Sequence, residues 1–255
     1  MSWDKEINEI LKKKEFALQQ GGTENVERQH SKGLLTIRER ITLILDDNTF
    51  EEIGPGAGGA ERDKNGGLIK FNPANFVLGF GKINGRDCVI GGEDFTLKGG
   101  SPTEAGLRKS IYIEDLAIQN LVPLVRLHQG GGGSVTGASG NTQVSTSPVY
   151  NPPRFKTVAQ TLQAIPVATA ALGAVAGLPA ARLVASHFSI MTKNNSQVLI
   201  AGPKVVERAL GQNVTKEDMG GAHIHTRNGV VDNIAEDETD ALAQIKIFLS
   251  YLPNN

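Results

Sequence analysis

Residues 121–133 read LVPLVRLHQGGGG, an apolar run at 123–127 followed two residues later by Gly130, Gly131, Gly132 and Gly133. A short continuous apolar run predicts a strand covered on both faces, and glycines at its carboxyl end let backbone amides close on a ligand oxygen. Ligands of open α/β sheets gather at that end of the strands. A flexible linker would have the same four letters, so the run has to be read with its neighbours.

The neighbours repeat the pattern. Short apolar runs at 165–171, 188–192 and 197–200 alternate with helical periodicity at 155–164, 179–186 and 203–210, and 240–251 closes the chain as a helix. Such alternation, with right-handed crossovers, predicts an α/β fold with a mostly parallel sheet. Upstream, 76–83 and 86–90 are strand-like and joined by Asn84-Gly85, a strong hairpin signal. Ser101, Pro102 and Glu104 supply a cap, a first-turn proline and a box glutamate for a helix to about Asn120. At the N-terminus, 3–20 reads as an exposed amphipathic helix ended by Gly21-Gly22, and Thr36 and Glu39 have capping-box spacing for a second helix. The stretch 54–75 is rich in Gly, Asn and charge and reads as a long surface loop.

Composition narrows the chemistry. The chain holds 30 glycines in 255 residues, against roughly 18 from average usage, while aromatics are only 5%. A site here therefore rests on backbone and small side chains. With 26 basic and 27 acidic residues there is no basic field for nucleic acid, and the lysines at 12–14 are flanked by Glu9 and Glu15. Cys88 alone can form neither a disulfide framework nor a cysteine zinc cluster. No apolar run reaches signal-peptide or membrane-span length, so the expected location is the cytoplasm, with no membrane partner.

Few side-chain constellations compete with the glycines. The turn 172–178, LGAVAGL, follows an apolar run and precedes a helix, so the Gly177 and Leu178 amides could hold a developing enolate oxygen. Close helix packing explains the same glycines. No Walker sequence is present, and the one Gly-x-Gly-x-x-Gly match, at 54–59, runs into charged loop. His223 and His225 would share one face of a strand but lack carboxylate or cysteine neighbours for a metal. His128 and His187 read as hydrogen-bonded structural residues; Glu93-Asp94 could serve as acid and base, but paired carboxylates at a strand end are more often a solvated edge or a cap. No carboxylate stands beside either glycine turn in sequence.

Four stretches, in order, resemble one family. They are 28–41 (RQHSKGLLTIRERI), 93–101 (EDFTLKGGS), 201–206 (AGPKVV) and 214–226 (VTKEDMGGAHIHT). The chain is similar to the N-terminal half of the carboxyltransferase (β) subunit of biotin-dependent acyl-CoA carboxylases, of the propionyl-CoA carboxylase β type. The resemblance implies a crotonase-type (ClpP/crotonase-like) ββα spiral at 54–255 with an N-terminal helical arm at 1–53. It implies backbone amides that polarise an acyl-CoA thioester while carboxylate moves from carboxybiotin to the α-carbon, with no metal in this chain.

In that picture Gly177 and Leu178 are the catalytic amide pair. Gly130, Gly131, Gly132 and Gly133 line the same pocket, and Gly99, Gly100 and Ser101 lie near the CoA. Two positions depart from the family: Leu178 stands where the second glycine of the pair is usual, and Gly133 where an arginine is usual. Both bear on acyl specificity. The resemblance further implies a C-terminal half, biotin carboxylase and biotin carrier partners, homo-oligomeric assembly, and no turnover by this half alone. The alternatives are a stand-alone crotonase-type hydratase or isomerase, which needs a carboxylate in the pocket, and a non-catalytic scaffold.

Overall fold

The structure, a computed structural model, describes residues 3–131 and 154–253. Three helices lead: α1 (Asp4–Leu18), α2 (Thr23–His30) and α3 (Ile37–Ile44). Thr36 caps α3 through the expected box, its side chain accepting from the Glu39 amide while Glu39 accepts from the Thr36 amide at 2.7 Å. Ile37, Ile41 and Ile44 repeat at helical spacing and enter the main core, whereas α1 buries only Ala17.

Strands follow: β1 (Glu51–Glu52), β2 (Gly58–Arg62), β3 (Leu68–Pro73), β4 (Phe76–Ile83) and β5 (Arg86–Glu93). The β4/β5 hairpin turns at Asn84 and Gly85, both at positive φ, 51° and 77°, as a type I′ turn requires. The expected loop at 54–75 is instead a two-stranded antiparallel ribbon, β2 with β3. All of β2 is exposed and only Phe71 of β3 is buried, so no in-out alternation marked it.

Then come a 3₁₀ turn (Lys98–Gly100), α4 (Glu104–Asn120), β6 (Leu124–Gly130), α5 (Arg154–Ala164), β7 (Val167–Ala176), α6 (Leu178–Val184), β8 (Phe188–Thr192) and β9 (Gln197–Leu199). The chain closes with α7 (Pro203–Leu210), α8 (Lys216–Gly220), α9 (Ala222–His225), β10 (Asn233–Ala235) and α10 (Glu238–Ser250). The sheet runs β1-β4-β5-β6-β7-β8-β10, with β9 added beside β7, and every pair from β5 onward is parallel. Adjacent residues face opposite cores: Ile90 and Val125 pack with α3 and α10, Val89 and Leu124 with α4. A sheet covered on both faces needs the unbroken apolar runs the sequence shows.

β7 is longer than its apolar run suggested. It pairs with β8 through Ala168 to Ala171, then with β9 through Ala174 to Ala176, and its register on β6 shifts between. The switch falls at Gly173, where a Cβ would lie 2.7 Å from the Gln129 side chain. The Leu172 carbonyl at this bend accepts from Arg40 Nη2 at 2.7 Å, and Arg40 is in turn held bidentate by Glu238, both contacts 2.7 Å. A long-range buried ion pair thus ties α3, α10 and the bend together, and desolvated arginine is tolerated because its donors are met. No helix among the described residues is long and apolar enough to cross a membrane.

Candidate functional site

The ends of β5 and β6, the 3₁₀ turn, the first turns of α4 and the start of α6 enclose a cavity of about 270 Å³. Gly100, Gly131 and Leu178, from three separate stretches of sequence, share its wall with Glu93, Ser110 and Arg182. The parallel strands point their carboxyl ends at it, where outward-facing amides are available to a ligand.

Leu178 opens α6, and the first amides of a helix have no intrahelical acceptor. Pro179 follows and has no N–H to offer. The Gly177 amide donates to the Leu199 carbonyl at 3.1 Å. The amide pair expected at 177 and 178 therefore reduces to Leu178, while Gly177 makes the turn at φ 69°. Gly100 and Gly130 meet backbone to backbone: a Cβ on Gly100 would lie 2.7 Å from the Gly130 Cα. Gly99 and Ser101 flank Gly100, and Gly132 and Gly133 lie outside the described residues.

The cap of α4 is Thr103 rather than Ser101; its hydroxyl accepts from the Gly106 amide at 3.1 Å. Asn75, which no sequence motif singles out, fixes this segment. Its Nδ2 donates to the Ser101 carbonyl at 2.6 Å, and its Oδ1 accepts from the Thr103 amide at 3.1 Å and hydroxyl at 2.8 Å. The signal available was only an Asn directly before a strand, common in turns.

Glu93 and Asp94 correct an expectation, since they are 6% and 2% exposed rather than a solvated edge. Asp94 accepts from the Thr96 amide at 3.0 Å and stays inside the turn. Glu93 lines the cavity, so a carboxylate does stand beside the glycine turns. Both its oxygens accept from His128 Nδ1, at 3.3 and 3.2 Å, and Oε2 also receives the Gln129 amide at 3.4 Å. Burial alone would raise its carboxyl, but the charge and hydrogen bond of His128 outweigh that and hold it below the ordinary value.

Behind α6 lies a second charge cluster. Glu114, 1% exposed, accepts from Arg126 at 2.5 Å, Arg182 at 2.9 Å and the Thr157 hydroxyl at 2.5 Å. Burial pulls the Arg126 guanidinium down to about 10, against the pull of Glu114. Arg182 also donates to the Ser110 hydroxyl at 3.2 Å, so the cluster anchors the helix that carries the Leu178 amide.

The histidines divide. His128, in β6, and His187, just before β8, are hydrogen-bonded as expected, His187 Nδ1 accepting from the Val167 amide at 3.1 Å. His223 and His225 sit on α9, not on a strand. His225 Nε2 donates to the Val198 carbonyl at 2.9 Å, and His223 lies 3.3 Å from Glu217.

A family model described as the carboxyl transferase domain matches residues 28–255. The chain belongs to the carboxyl transferase domain family. It is 34% identical over 252 residues to the biotin-dependent acetyl-/propionyl-coenzyme A carboxylase beta5 subunit of Mycobacterium leprae, covering 98% of this chain and 44% of that one. It is 34% identical to the methylmalonyl-CoA decarboxylase subunit alpha of Veillonella parvula, covering 92% and 45%. Among solved structures, the transcarboxylase 12S hexamer with methylmalonyl-coenzyme A bound superposes with a TM-score of 0.79 at 27% identity, covering 99% of this chain and 48% of that one. The fold is thus the crotonase-like carboxyltransferase fold anticipated, and the chain spans about half the length of the relatives it matches.

Proposed function

We propose that this chain is the acyl-CoA-binding half of a biotin-dependent carboxyltransferase. The cavity between α4 and α6 takes the thioester end of a short acyl-CoA. The Leu178 N–H donates to its carbonyl oxygen and stabilises the charge that grows there as the α-carbon becomes nucleophilic. Carboxyl then passes between biotin and that carbon. The carboxyl donor is a co-substrate brought by a partner carrier, so no residue of this chain is assigned to it. A C-terminal half, with homo-oligomeric assembly around it, completes the enzyme in the cytoplasm.

The observation that supports this most is the convergence of Gly100, Gly131 and Leu178 on one cavity at the strand ends. Backbone donors and a small pocket suit a thioester oxygen better than they suit a charged cofactor. Leu178 is part of the cavity wall, and a leucine at this position in place of a glycine favours short acyl groups.

The test is calorimetric titration of the purified chain with acetyl-CoA, propionyl-CoA and free CoA. Acyl-CoA is expected to bind, and Leu107→Trp, which fills the cavity from α4, is expected to weaken it at least tenfold, about 1.4 kcal/mol. Absence of binding at millimolar ligand would favour a non-catalytic scaffold.

A further inference from the structure

Stability alone is a poor reason to bury an arginine, because a buried ion pair gains little over apolar side chains of the same volume. Arg182, 3% exposed, also leaves its Nη2 with no partner. What it supplies is direction. Its Nε donates to Glu114 Oε1 at 2.9 Å and its Nη1 to the Ser110 hydroxyl at 3.2 Å. Ser110 and Glu114 are four residues apart on one face of α4, so the planar guanidinium spans two successive turns of that helix. Among the described residues these are the two hydrogen bonds that join α4 to α6. Their anchor is itself fixed: Glu114 accepts from Arg126 of β6 and from the Thr157 hydroxyl of α5, each at 2.5 Å, and Arg126 donates to the Ser110 carbonyl at 2.9 Å.

Other contacts seat α6 on the sheet. Ala180 and Leu183 pack with Ala171 and Val175 of β7, and the Thr169 hydroxyl donates to the Leu183 carbonyl at 2.9 Å. None of these sets the distance from α6 to α4. Arg182 comes four residues after Leu178, on the same helix face, and both share the cavity wall with Leu107 and Ser110 of α4. The spacing of the two walls is therefore fixed by the arginine.

We propose that Arg182 is a specificity-determining residue of this cavity, holding α6 to α4 at the spacing that admits short acyl chains and turns away long ones. The inference rests on the acyl-CoA assignment above. A pocket discriminates by chain length only where its walls do not yield, and one methylene too many is then worth roughly 10-fold to 200-fold. Without the two bonds to α4, α6 keeps its seat on β7 but gives way to a longer chain. Leu178 moves with it, since the two residues occupy successive turns of one face.

The experiment is calorimetric titration of the chain with propionyl-CoA and octanoyl-CoA, with thermal unfolding of each variant in parallel. Wild type is expected to favour propionyl-CoA. Arg182→Met keeps an unbranched apolar stem but has no donor, and it is expected to reduce that preference about tenfold or more, chiefly by strengthening octanoyl-CoA binding. Arg182→Lys keeps the charge but reaches one acceptor instead of two. It should reduce the preference by a smaller factor, and it serves in place of the methionine variant if that one does not fold. A folded variant that melts earlier with its preference unchanged would mean a purely structural arginine and would overturn the assignment, as would a wild type that binds both ligands equally. Failure of wild type to bind propionyl-CoA at all would instead overturn the acyl-CoA assignment, and this inference with it.

Discussion

Replacing Glu114 with alanine is expected to destabilise the fold by about 3–5 kcal/mol, the usual cost of leaving a buried charge without its partner. Among the described residues Glu114 is the one carboxylate bonded to two arginines, which are themselves 2% and 3% exposed. Arg126 Nη1 and Arg182 Nη2 already have no partner, and removing Glu114 leaves the two buried guanidiniums only neutral acceptors on Ser110 among the hydrogen bonds described. Thr157 would lose its acceptor as well. Urea unfolding measures the change, and a loss below about 1 kcal/mol would mean that water reaches the cluster and screens it. The consequence reaches function because Arg182 belongs to α6, whose first amide is the proposed oxyanion donor.

The second large effect is expected at Gly100. It sits at φ 68°, where an L side chain costs about 1–2 kcal/mol. A Cβ there would also lie 2.6 Å from the Gln129 carbonyl oxygen and 2.7 Å from the Gly130 Cα, both backbone and unable to rotate away. Overpacking of this kind adds roughly 1–3 kcal/mol. Gly100→Ala should therefore cost about 3 kcal/mol, or push the 3₁₀ turn off β6 and open the cavity wall, lowering acyl-CoA affinity at least tenfold. Gly99→Ala is the control. Its φ is 61°, but its Cβ would meet only Phe95, at 3.9 Å, so strain alone remains, at about 1 kcal/mol. Equal losses at the two positions, by thermal unfolding and titration together, would refute the close approach of turn and strand.

Local chemistry accounts for which parts were legible beforehand. The β4/β5 hairpin follows from Asn84-Gly85, and α7 and β8 fall where apolar spacing and flanking turns put them. The glycine runs marked the strand ends because only there does a chain both turn and approach a neighbour closely. What escaped was whatever depends on distant partners. Glu93 looked like a solvated strand end because His128, which holds it in the interior, is 35 residues away. Gly177 looked like a free amide donor because the Leu199 carbonyl that takes it comes from β9. α2 has one buried residue, Gln29, whose amide meets that of Gln129 at 2.6 Å, so no apolar face announced it. The β2/β3 ribbon lay hidden in glycine and charge for the same reason.

The proposed function requires a thioester oxygen on the Leu178 amide, and the infrared carbonyl stretch of bound acyl-CoA reads that contact. With [1-¹³C]propionyl-CoA, the isotope-edited C=O band of the complex is expected to shift to lower wavenumber than in free solution, because a fixed donor in the pocket polarises the bond. A band at its solution position in a saturated complex would contradict it.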